Sequence, residues 1–304
     1  MQRRNFLKNT IWTVGALSLP LSGNKVLAGS ATSTSPAAYN FKKSIMWGSA
    51  GIEGSVFDKC KAIKEAGFQG IETASHMNRR EVIDAAKATG LAITSVYCST
   101  HWSKPLSHPD AAVRQEGIEG AIVALEDAHA YGTDAMLLVH GVVNNTVSYD
   151  DCWIRSVEAI RKLLPVAERL KVKICLENAG NNFLLSPLEA LYYIDQFNSP
   201  YVKFYFDCGN VLVYYDWPEQ WIKILGDRTG RIHIKDFNRQ IADKQGRRAG
   251  LSVPLTEGDV NWSKVMESLR NHYENVWLTT EQGSNKTLEE LKDLSARFDK
   301  ILNM

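Results

Sequence analysis

Short β-rich runs alternate with helical segments eight times along this chain. The runs lie at residues 44–49, 69–73, 92–98, 135–141, 172–178, 202–207, 231–236 and 276–282. Segments of helical period stand between them, and several end in glycine, as helix C-termini commonly do. Eight strand-then-helix units in roughly 260 residues have the count and length typical of a TIM barrel. The sequence therefore predicts a single-domain α/β fold, a TIM (β/α)8 barrel, over residues 42–304.

A doubly wound parallel sheet is the alternative architecture for such alternation. It gives no reason for eight repeats, and no GxGxxG motif follows the first predicted strand. Two long segments depart from the rhythm, at residues 99–113 and 238–262. In a barrel, such loops lie at the carboxyl ends of the strands, where active sites are built. We therefore expect a functional site at that end.

The N-terminal segment has a different character from the rest. The stretch RRNFLKNT, residues 3–10, precedes an apolar run and a small-residue site that ends at Ala28. This order predicts a twin-arginine-like export signal over residues 1–28, and its apolar run is too short for a permanent anchor. Residues 29–41 are predicted to be a linker. We expect a periplasmic mature protein with no stable membrane span, and the alternative is a disordered start with chance basic residues.

Charge and cysteine content exclude several partner classes. Lys and Arg number 35 against 34 Asp and Glu, a net charge of +1, so no basic surface predicts a nucleic-acid partner. The five cysteines have no CxxC spacing, which excludes a zinc knuckle and signals no disulfide framework. His76, His101 and His108 fall in predicted loops, where a place at the site and a solvated surface position are equal alternatives. A small-molecule partner is therefore favoured.

Polar side chains close four neighbouring predicted strands. These are Glu177, Asp207, His233 and Glu281, on strands five to eight. In a barrel these ends converge on one opening, where three carboxylates and an imidazole would disturb one another's pKa values unless a cation lay among them. An oxygen-rich set with one nitrogen and no thiolate favours Mn²⁺, Mg²⁺ or Co²⁺, although Zn²⁺ or Fe²⁺ can occupy it. The sequence predicts one divalent metal ion held by these four residues, whereas each carboxylate alone would more often be a helix cap or an exposed charge.

Several motifs carry a resemblance to a known family. CLENAG, FDCGN, HIKDFNR, PLTEGDVNW and TTEQG occur in this order over a region that covers residues 42–302. With them the chain resembles the xylose isomerase-like TIM barrels that are grouped as sugar phosphate isomerases and epimerases. The resemblance implies the same four metal ligands, and it implies substrate contacts from Lys235 and Arg239.

Further residues are candidates for contact with a sugar. His140 closes the fourth predicted strand and could bond a hydroxyl, although a structural histidine is the alternative. Glu72 closes the second strand, and Trp47 could stack on a sugar ring or simply pack at the barrel rim. Lys235 lies two residues after His233, so both side chains point the same way on a strand.

The resemblance implies isomerase or epimerase chemistry on a carbohydrate that bears a carbonyl group. In related ketose epimerases two opposed glutamates remove and return the proton through an enediolate, and here they would be Glu177 and Glu281. Asn210 stands where many relatives have histidine, so a lyase that dehydrates a keto-sugar or keto-cyclitol stays an alternative. A non-catalytic sugar-binding barrel is a third hypothesis, whereas an abasic-site endonuclease would need more histidines and a basic surface. Barrels of this type often associate through their outer helices, so we also expect a homo-oligomer.

Overall fold

The structure is a computed structural model that describes residues 40–214 and 216–304. The predicted export signal, residues 1–28, and the predicted linker up to residue 39 lie outside the described residues. Within the described ranges, no helix has the length and apolar character needed to cross a membrane.

Eight parallel strands form a closed barrel in the order of the sequence. They are β1 (Lys42–Met46), β2 (Gly70–Ala74), β3 (Ala92–Tyr97), β4 (Ala135–Leu138), β5 (Lys173–Glu177), β6 (Val202–Asp207), β7 (Thr229–Ile234) and β8 (Trp277–Thr280). Strand β8 pairs with β1, with Ser44 opposite Thr279, and this pairing closes the sheet. The predicted TIM-barrel fold is confirmed.

Helices surround the barrel and follow its strands. They are α1 (Val56–Glu65), α2 (Arg79–Thr89), α3 (Ala111–Ala130), α4 (Tyr149–Leu170), α5 (Pro187–Asp195), α6 (Cys208–Val213), α7 (Pro218–Leu225), α8 (Arg239–Gln245), α9 (Arg247–Gly250), α10 (Trp262–His272) and α11 (Leu288–Leu302). Their starts follow capping chemistry that is visible in the sequence. Ser55 and Thr287 each form a capping box with the third residue of the helix, Asp58 and Glu290.

The predicted strands agree with the observed ones, apart from their ends. Strand β6 has the predicted bounds, whereas β4 and β8 end earlier than predicted. As a result, His140 lies two residues beyond β4 and Glu281 lies one residue beyond β8. Glu72, in contrast, lies in the middle of β2 and therefore deeper in the barrel than the residues at the strand ends.

Apolar and polar side chains alternate along the strands and divide the core in two. Side chains on the outer face of the sheet pack against the helices in one large cluster. A small cluster of Ala135, Leu137, Cys175 and Tyr205 fills the barrel interior. This small cluster lies below the carboxyl ends of the strands and packs beneath the polar residues there.

Ion pairs stabilise the amino-terminal end of the barrel. Asp134, just before β4, accepts from Lys173 Nζ at 2.7 Å and from Arg231 Nη2 at 2.5 Å, which ties three strands together. Lys43 Nζ reaches Asp299 at 2.6 Å and so fastens β1 to α11. Burial raises the pKa of Asp134, but the two cations outweigh it and hold the pKa below its usual value.

One buried carboxylate organises the long segment after β7. Asp236 is fully buried and accepts from the backbone N–H groups of Thr256 (3.0 Å) and Val260 (3.2 Å) and from Trp262 Nε1 (3.1 Å). Gly258 lies so close that a Cβ there would be 2.1 Å from Asp236 Oδ1, which only glycine avoids. The segment is therefore folded tightly against the carboxyl end of the barrel.

Candidate metal centre

Four strand ends bring together the four predicted metal ligands. Glu177 and Asp207 are the last residues of β5 and β6, His233 is the fifth residue of β7, and Glu281 directly follows β8. One ligand atom from each lies within 4.8 Å of the others. Asp207 is opposite His233 in the register, and the Glu281 N–H donates to Ile234 O at 3.4 Å, so the ladder itself sets this arrangement.

Asp207 has two structural roles at the end of an apolar strand. Its Oδ1 accepts from the Asn210 N–H at 2.7 Å and so caps α6. Asn178 accepts from the Asp207 N–H at 2.8 Å and donates to the Asp207 carbonyl at 3.0 Å, which joins the ends of β5 and β6. These bonds fix the carboxylate with its second oxygen towards the cluster.

His233 is the centre of the acidic group. Its Nδ1 lies 3.3 Å from Glu177 Oε1, 3.4 Å from Glu281 Oε2 and 3.7 Å from Asp207 Oδ2. Burial lowers the pKa of His233, but the charges of Tyr205 and Glu72 and the bonds to the carboxylates raise it well above its usual value. The site therefore attracts positive charge strongly.

The two predicted catalytic glutamates have different surroundings. Burial raises the pKa of Glu177 to about 7, helped by the nearby charges of Glu281 and Asp207. Glu281 is 25% exposed, and Lys235 Nζ donates to its Oε2 at 2.9 Å. Burial raises the pKa of Glu281 too, but the Lys235 charge outweighs it and holds that pKa well below its usual value. At neutral pH, Glu281 is ionised while Glu177 can carry a proton.

The donor set fits a divalent cation. Asp207 Oδ2 is buried and has no hydrogen-bond partner among the described residues, although a buried carboxylate oxygen without a partner is costly. Three carboxylates and one imidazole, with no thiolate, match the ligands that Mn²⁺, Mg²⁺ and Co²⁺ accept. Glu177, Asp207, His233 and Glu281 are the residues that would hold such an ion.

Two of the predicted substrate contacts lie at the barrel opening. Lys235 is buried beside Glu281, and its Nζ is also 3.8 Å from Asp207 Oδ2. Arg239 starts α8, where its N–H donates to Asp259 Oδ2 at 2.6 Å and its Nη2 donates to Asp216 O at 3.0 Å. Lys235 thus joins the charged cluster directly, while Arg239 is tied into the loops around it.

Trp47 is half-buried in a turn after β1. The ammonium of Lys59 lies 4.2 Å from the centroid of its ring, and the ring packs against the main core. One face of this indole is therefore already engaged in a cation–π contact.

The structure places His140 and Glu72 away from the barrel opening. His140 is fully buried between the rings of Phe183 and Tyr193, with centroids at 5.3 and 5.2 Å, and this burial lowers its pKa to about 3. Glu72 is also fully buried, and its oxygens face inward to the barrel interior. Sequence reasoning placed both at strand ends, but β4 ends before His140 and β2 continues past Glu72.

Sequence reasoning missed one buried histidine near the site. The sequence left His101 open between a site position and the solvated surface; in the structure it is only 7% exposed, and its Nδ1 accepts from the Val139 N–H at 3.2 Å. Burial lowers its pKa to about 4, and the charges of Glu281 and Glu72 oppose this shift in part. Its position in the long loop after β3 was the available signal, but nothing in the sequence distinguished it from His76 and His108.

Comparison with known proteins places this geometry in a family. The family described as xylose isomerase-like TIM barrel matches residues 60–299. The chain belongs to this family. Members have the closed barrel that the structure shows, and the four clustered residues lie at the end of the barrel where such enzymes build their sites.

Three proteins are similar to this chain in sequence or in fold. The L-ribulose-5-phosphate 3-epimerase of Salmonella paratyphi A is 24% identical over 196 residues, which are 64% of this chain and 66%, just under two thirds, of that relative. The 3-keto-D-glucoside 4-epimerase of E. coli superposes with a TM-score of 0.74 at 18% identity, covering 87% of this chain and 100% of that chain. The probable 3-DHS dehydratase of Bacillus anthracis gives 0.68 at 19% identity, covering 85% and 98%. At these identities the two structures show a common fold.

Proposed function

We propose that this protein is a divalent-metal-dependent epimerase or isomerase of a carbohydrate that bears a carbonyl group. One observation carries the proposal: two carboxylates, Glu177 at the end of β5 and Glu281 just after β8, flank the same candidate ion site. Reversible proton transfer at carbon needs such a pair, one group to accept the proton and one to return it. The similarity to a 3-epimerase of a ketose phosphate supports this reaction class.

The chain's own residues supply the proton transfers. A bound divalent ion would provide positive charge beside the carbonyl oxygen, which favours the enediolate form of the substrate. Glu281, kept ionised by Lys235, accepts the proton from the carbon next to the carbonyl, so a C–H bond breaks and an O–H bond forms. Glu177 delivers a proton to the opposite face for epimerisation, or to the neighbouring carbon for isomerisation. In the reverse direction the two glutamates exchange roles.

Lys235 and Arg239 are the proposed substrate contacts. Lys235 lies against Glu281 and Asp207, so its ammonium can donate to a substrate oxygen held at the same centre. Arg239 is fixed at the start of α8 by its bonds to Asp216 and Asp259. These bonds connect the start of the long loop with its later part and with the segment after β6. Both cations favour a substrate that develops negative charge on oxygen.

We also propose that the protein is exported, because residues 3–10 and the small-residue site at Ala28 follow the order of a twin-arginine signal. Free or oxidised sugars, glycosides or keto-cyclitols are then the substrate class, since phosphorylated sugars are cytoplasmic metabolites. Cell fractionation tests this with the Arg3→Lys/Arg4→Lys double variant. Retention of that variant in the cytoplasm is expected, and periplasmic recovery equal to the native chain would contradict export by this route.

Hydrogen exchange with heavy water tests the proposed reaction. The protein loaded with Mn²⁺ is incubated with a panel of ketoses, 3-keto-glycosides and keto-cyclitols, and deuterium incorporation is followed by mass spectrometry. Glu177→Gln and Glu281→Gln should each reduce exchange by about 10²- to 10⁴-fold, because each removes one proton carrier. Glu267→Gln, an exposed carboxylate on α10, is the matched control and should exchange normally.

The products separate the alternative functions. Deuterated isomers of unchanged skeleton support an epimerase or isomerase. Loss of water with an ultraviolet-absorbing enone would instead establish a lyase. Saturable sugar binding that survives both glutamate variants, with no exchange from any substrate, would indicate a binding protein.

A further inference from the structure

A second polar cluster lies directly below the four candidate ligands, inside the barrel. Glu72 of β2 is fully buried, and its Oε2 accepts from Ser95 Oγ of β3 at 2.6 Å and from the Tyr205 hydroxyl of β6. Its other oxygen, Oε1, lies 3.1 Å from His233 Nε2 of β7. The cluster therefore crosses the barrel interior from β2 to β7 and ends on a predicted metal ligand.

The hydrogen bonds of this cluster define which ring nitrogen of His233 carries a proton. A carboxylate only accepts hydrogen bonds, and a neutral imidazole has one N–H and one lone pair. Nε2 lies 3.1 Å from Glu72 Oε1, closer than any carboxylate oxygen lies to Nδ1. A cation among Glu177, Asp207 and Glu281 would take the place of a proton on Nδ1, so Nε2 is the donor. The lone pair then lies on Nδ1, which faces Glu177, Asp207 and Glu281. A metal ligand needs its lone pair on this side.

Both oxygens of Glu72 are engaged, so the residue is unavailable to a substrate. Ser95 and Tyr205 hold one oxygen, His233 holds the other, and the side chain has no exposed surface. A carboxylate buried this deeply costs several kcal/mol unless its bonds compensate for lost hydration. Its three hydrogen bonds compensate for the lost hydration. The two bonds from Ser95 and Tyr205 fix the carboxylate so that its other oxygen faces His233.

We propose that Glu72 is a positioning residue that fixes His233 in the Nε2–H form, turns its Nδ1 towards the three carboxylates and so increases the affinity of the centre for a divalent ion. Ser95 and Tyr205 orient Glu72 in turn. The inference rests on the metal centre of the proposed function, but it assigns Glu72 a role other than the substrate contact that its place in the sequence suggested. Outer partners of this kind typically change metal affinity by about 10- to 100-fold.

Two measurements test the role. Calorimetric titration with Mn²⁺ compares the native chain with Glu72→Gln, which keeps the shape but removes the charge. The dissociation constant should rise by about 10- to 100-fold. Thr73→Val is the matched control, because Thr73 is buried on the same strand and its hydroxyl has no partner among the described residues. Its dissociation constant should equal that of the native chain.

Nitrogen-15 NMR of the metal-free native chain is the second measurement and needs no variant; it is recorded at a pH above the raised pKa of His233, where the imidazole is neutral. A proton on Nε2 of neutral His233 is expected, and Glu72→Gln should give a mixture of the two tautomers. If Glu72→Gln does not fold, Ser95→Ala removes one support of Glu72 and should weaken Mn²⁺ binding less than 10-fold but measurably.

The outcomes separate this inference from the proposed function. Native Mn²⁺ binding that Glu72→Gln leaves unchanged would overturn the role of Glu72 and leave the metal centre standing. A native His233 protonated on Nδ1 instead of Nε2 would also overturn it. A native chain that binds no divalent ion would remove the metal centre itself and, with it, the role of Glu72.

Discussion

Single side chains set the charge of the candidate centre. Lys235 Nζ donates to Glu281 Oε2 at 2.9 Å, whereas among the described residues no lysine or arginine forms an ion pair with Glu177, and this contact distinguishes the two glutamates. Both glutamates are close to His233 and to each other, so their difference in pKa comes mainly from this lysine. The acid and base roles proposed for Glu177 and Glu281 therefore depend on one ammonium group.

Replacing Lys235 with methionine should shift the pH dependence of the reaction. Without the ammonium, the pKa of Glu281 rises towards and above its usual value, so an acid limb that lies below the measured range in the native protein should move up into that range. The rate is measured between pH 4 and 9 with the Mn²⁺-loaded protein. Lys292→Met, which removes an exposed lysine paired with Glu65, is the control. An acid limb that stays in place would show that Lys235 does not keep Glu281 ionised.

The four candidate metal ligands could be predicted from residue types, but their supporting residues could not. Glu177, Asp207, His233 and Glu281 stand at strand ends, and parallel strands in a barrel must bring such ends together. The position of Glu72 in the barrel depends instead on where β2 ends. An error of two residues in the predicted end of the strand changes the layer of the barrel that the side chain occupies. Strand boundaries are set by the whole ladder, so the sequence of one strand does not determine them.

At the scale of single elements, the segment after β7 is held by a small number of polar groups. Asp236 receives backbone and indole donors from residues 237–262, and its own N–H donates to Gln282 Oε1 at 2.6 Å. Gln282 follows Glu281 directly, and its Nε2 holds the carbonyls of Leu251 and Val253 at 3.0 and 2.5 Å. The long loop and β8 are therefore linked next to the candidate centre. The sequence predicted this loop as an irregular segment, whereas it contains α8 and α9, whose seven and four residues are too few to show a helical period.

Removing Asp236 should loosen this loop without emptying the metal centre. Asp236→Ala leaves several buried donors without an acceptor, so the free energy of unfolding should fall by about 2–4 kcal/mol. Urea denaturation measures the fall, and limited proteolysis should show new cleavage within residues 251–260. Mn²⁺ binding should persist because no ligand is changed. Unaltered proteolysis and stability would show that Asp236 does not organise the segment.

At the scale of the whole molecule, the regular alternation of strands and helices predicted the fold more clearly than any single residue did. Eight strand-helix units and the inward carboxylates were visible in the sequence, and the barrel closes with β8 beside β1 as expected. The pairing of Asp134 with Lys173 and Arg231 at the opposite end was not visible, because these residues meet only when three strands are in register. Long-range ion pairs of this kind can be identified only once the fold is known, so they do not help to predict the fold from the sequence.

Acid should destabilise the folded chain through the buried His140. The pKa of His140 is about 3 in the fold, against about 6.5 when unfolded, so between these values the unfolded chain binds the extra proton. Stability therefore rises with pH across this window, and His140 alone should cost about 2 kcal/mol between pH 7 and pH 5. His140→Phe should lose this part of the pH dependence in urea denaturation. His272→Phe, at an exposed site on α10, should retain it, and equal pH slopes in all three proteins would contradict the account.

Metal content is the measurement that tests the central claim most directly. The chain is purified without chelator, reloaded with Mn²⁺, desalted and analysed by plasma mass spectrometry beside Asp207→Asn, which removes one ligand charge at a fully buried position. We predict about one divalent ion per native chain, and far less in the variant, because three carboxylates and an imidazole within one small space need a cation. Equal metal in both proteins would place the ion elsewhere. No ion in the native chain after reloading with Mn²⁺, Mg²⁺, Co²⁺ or Zn²⁺ would contradict the account.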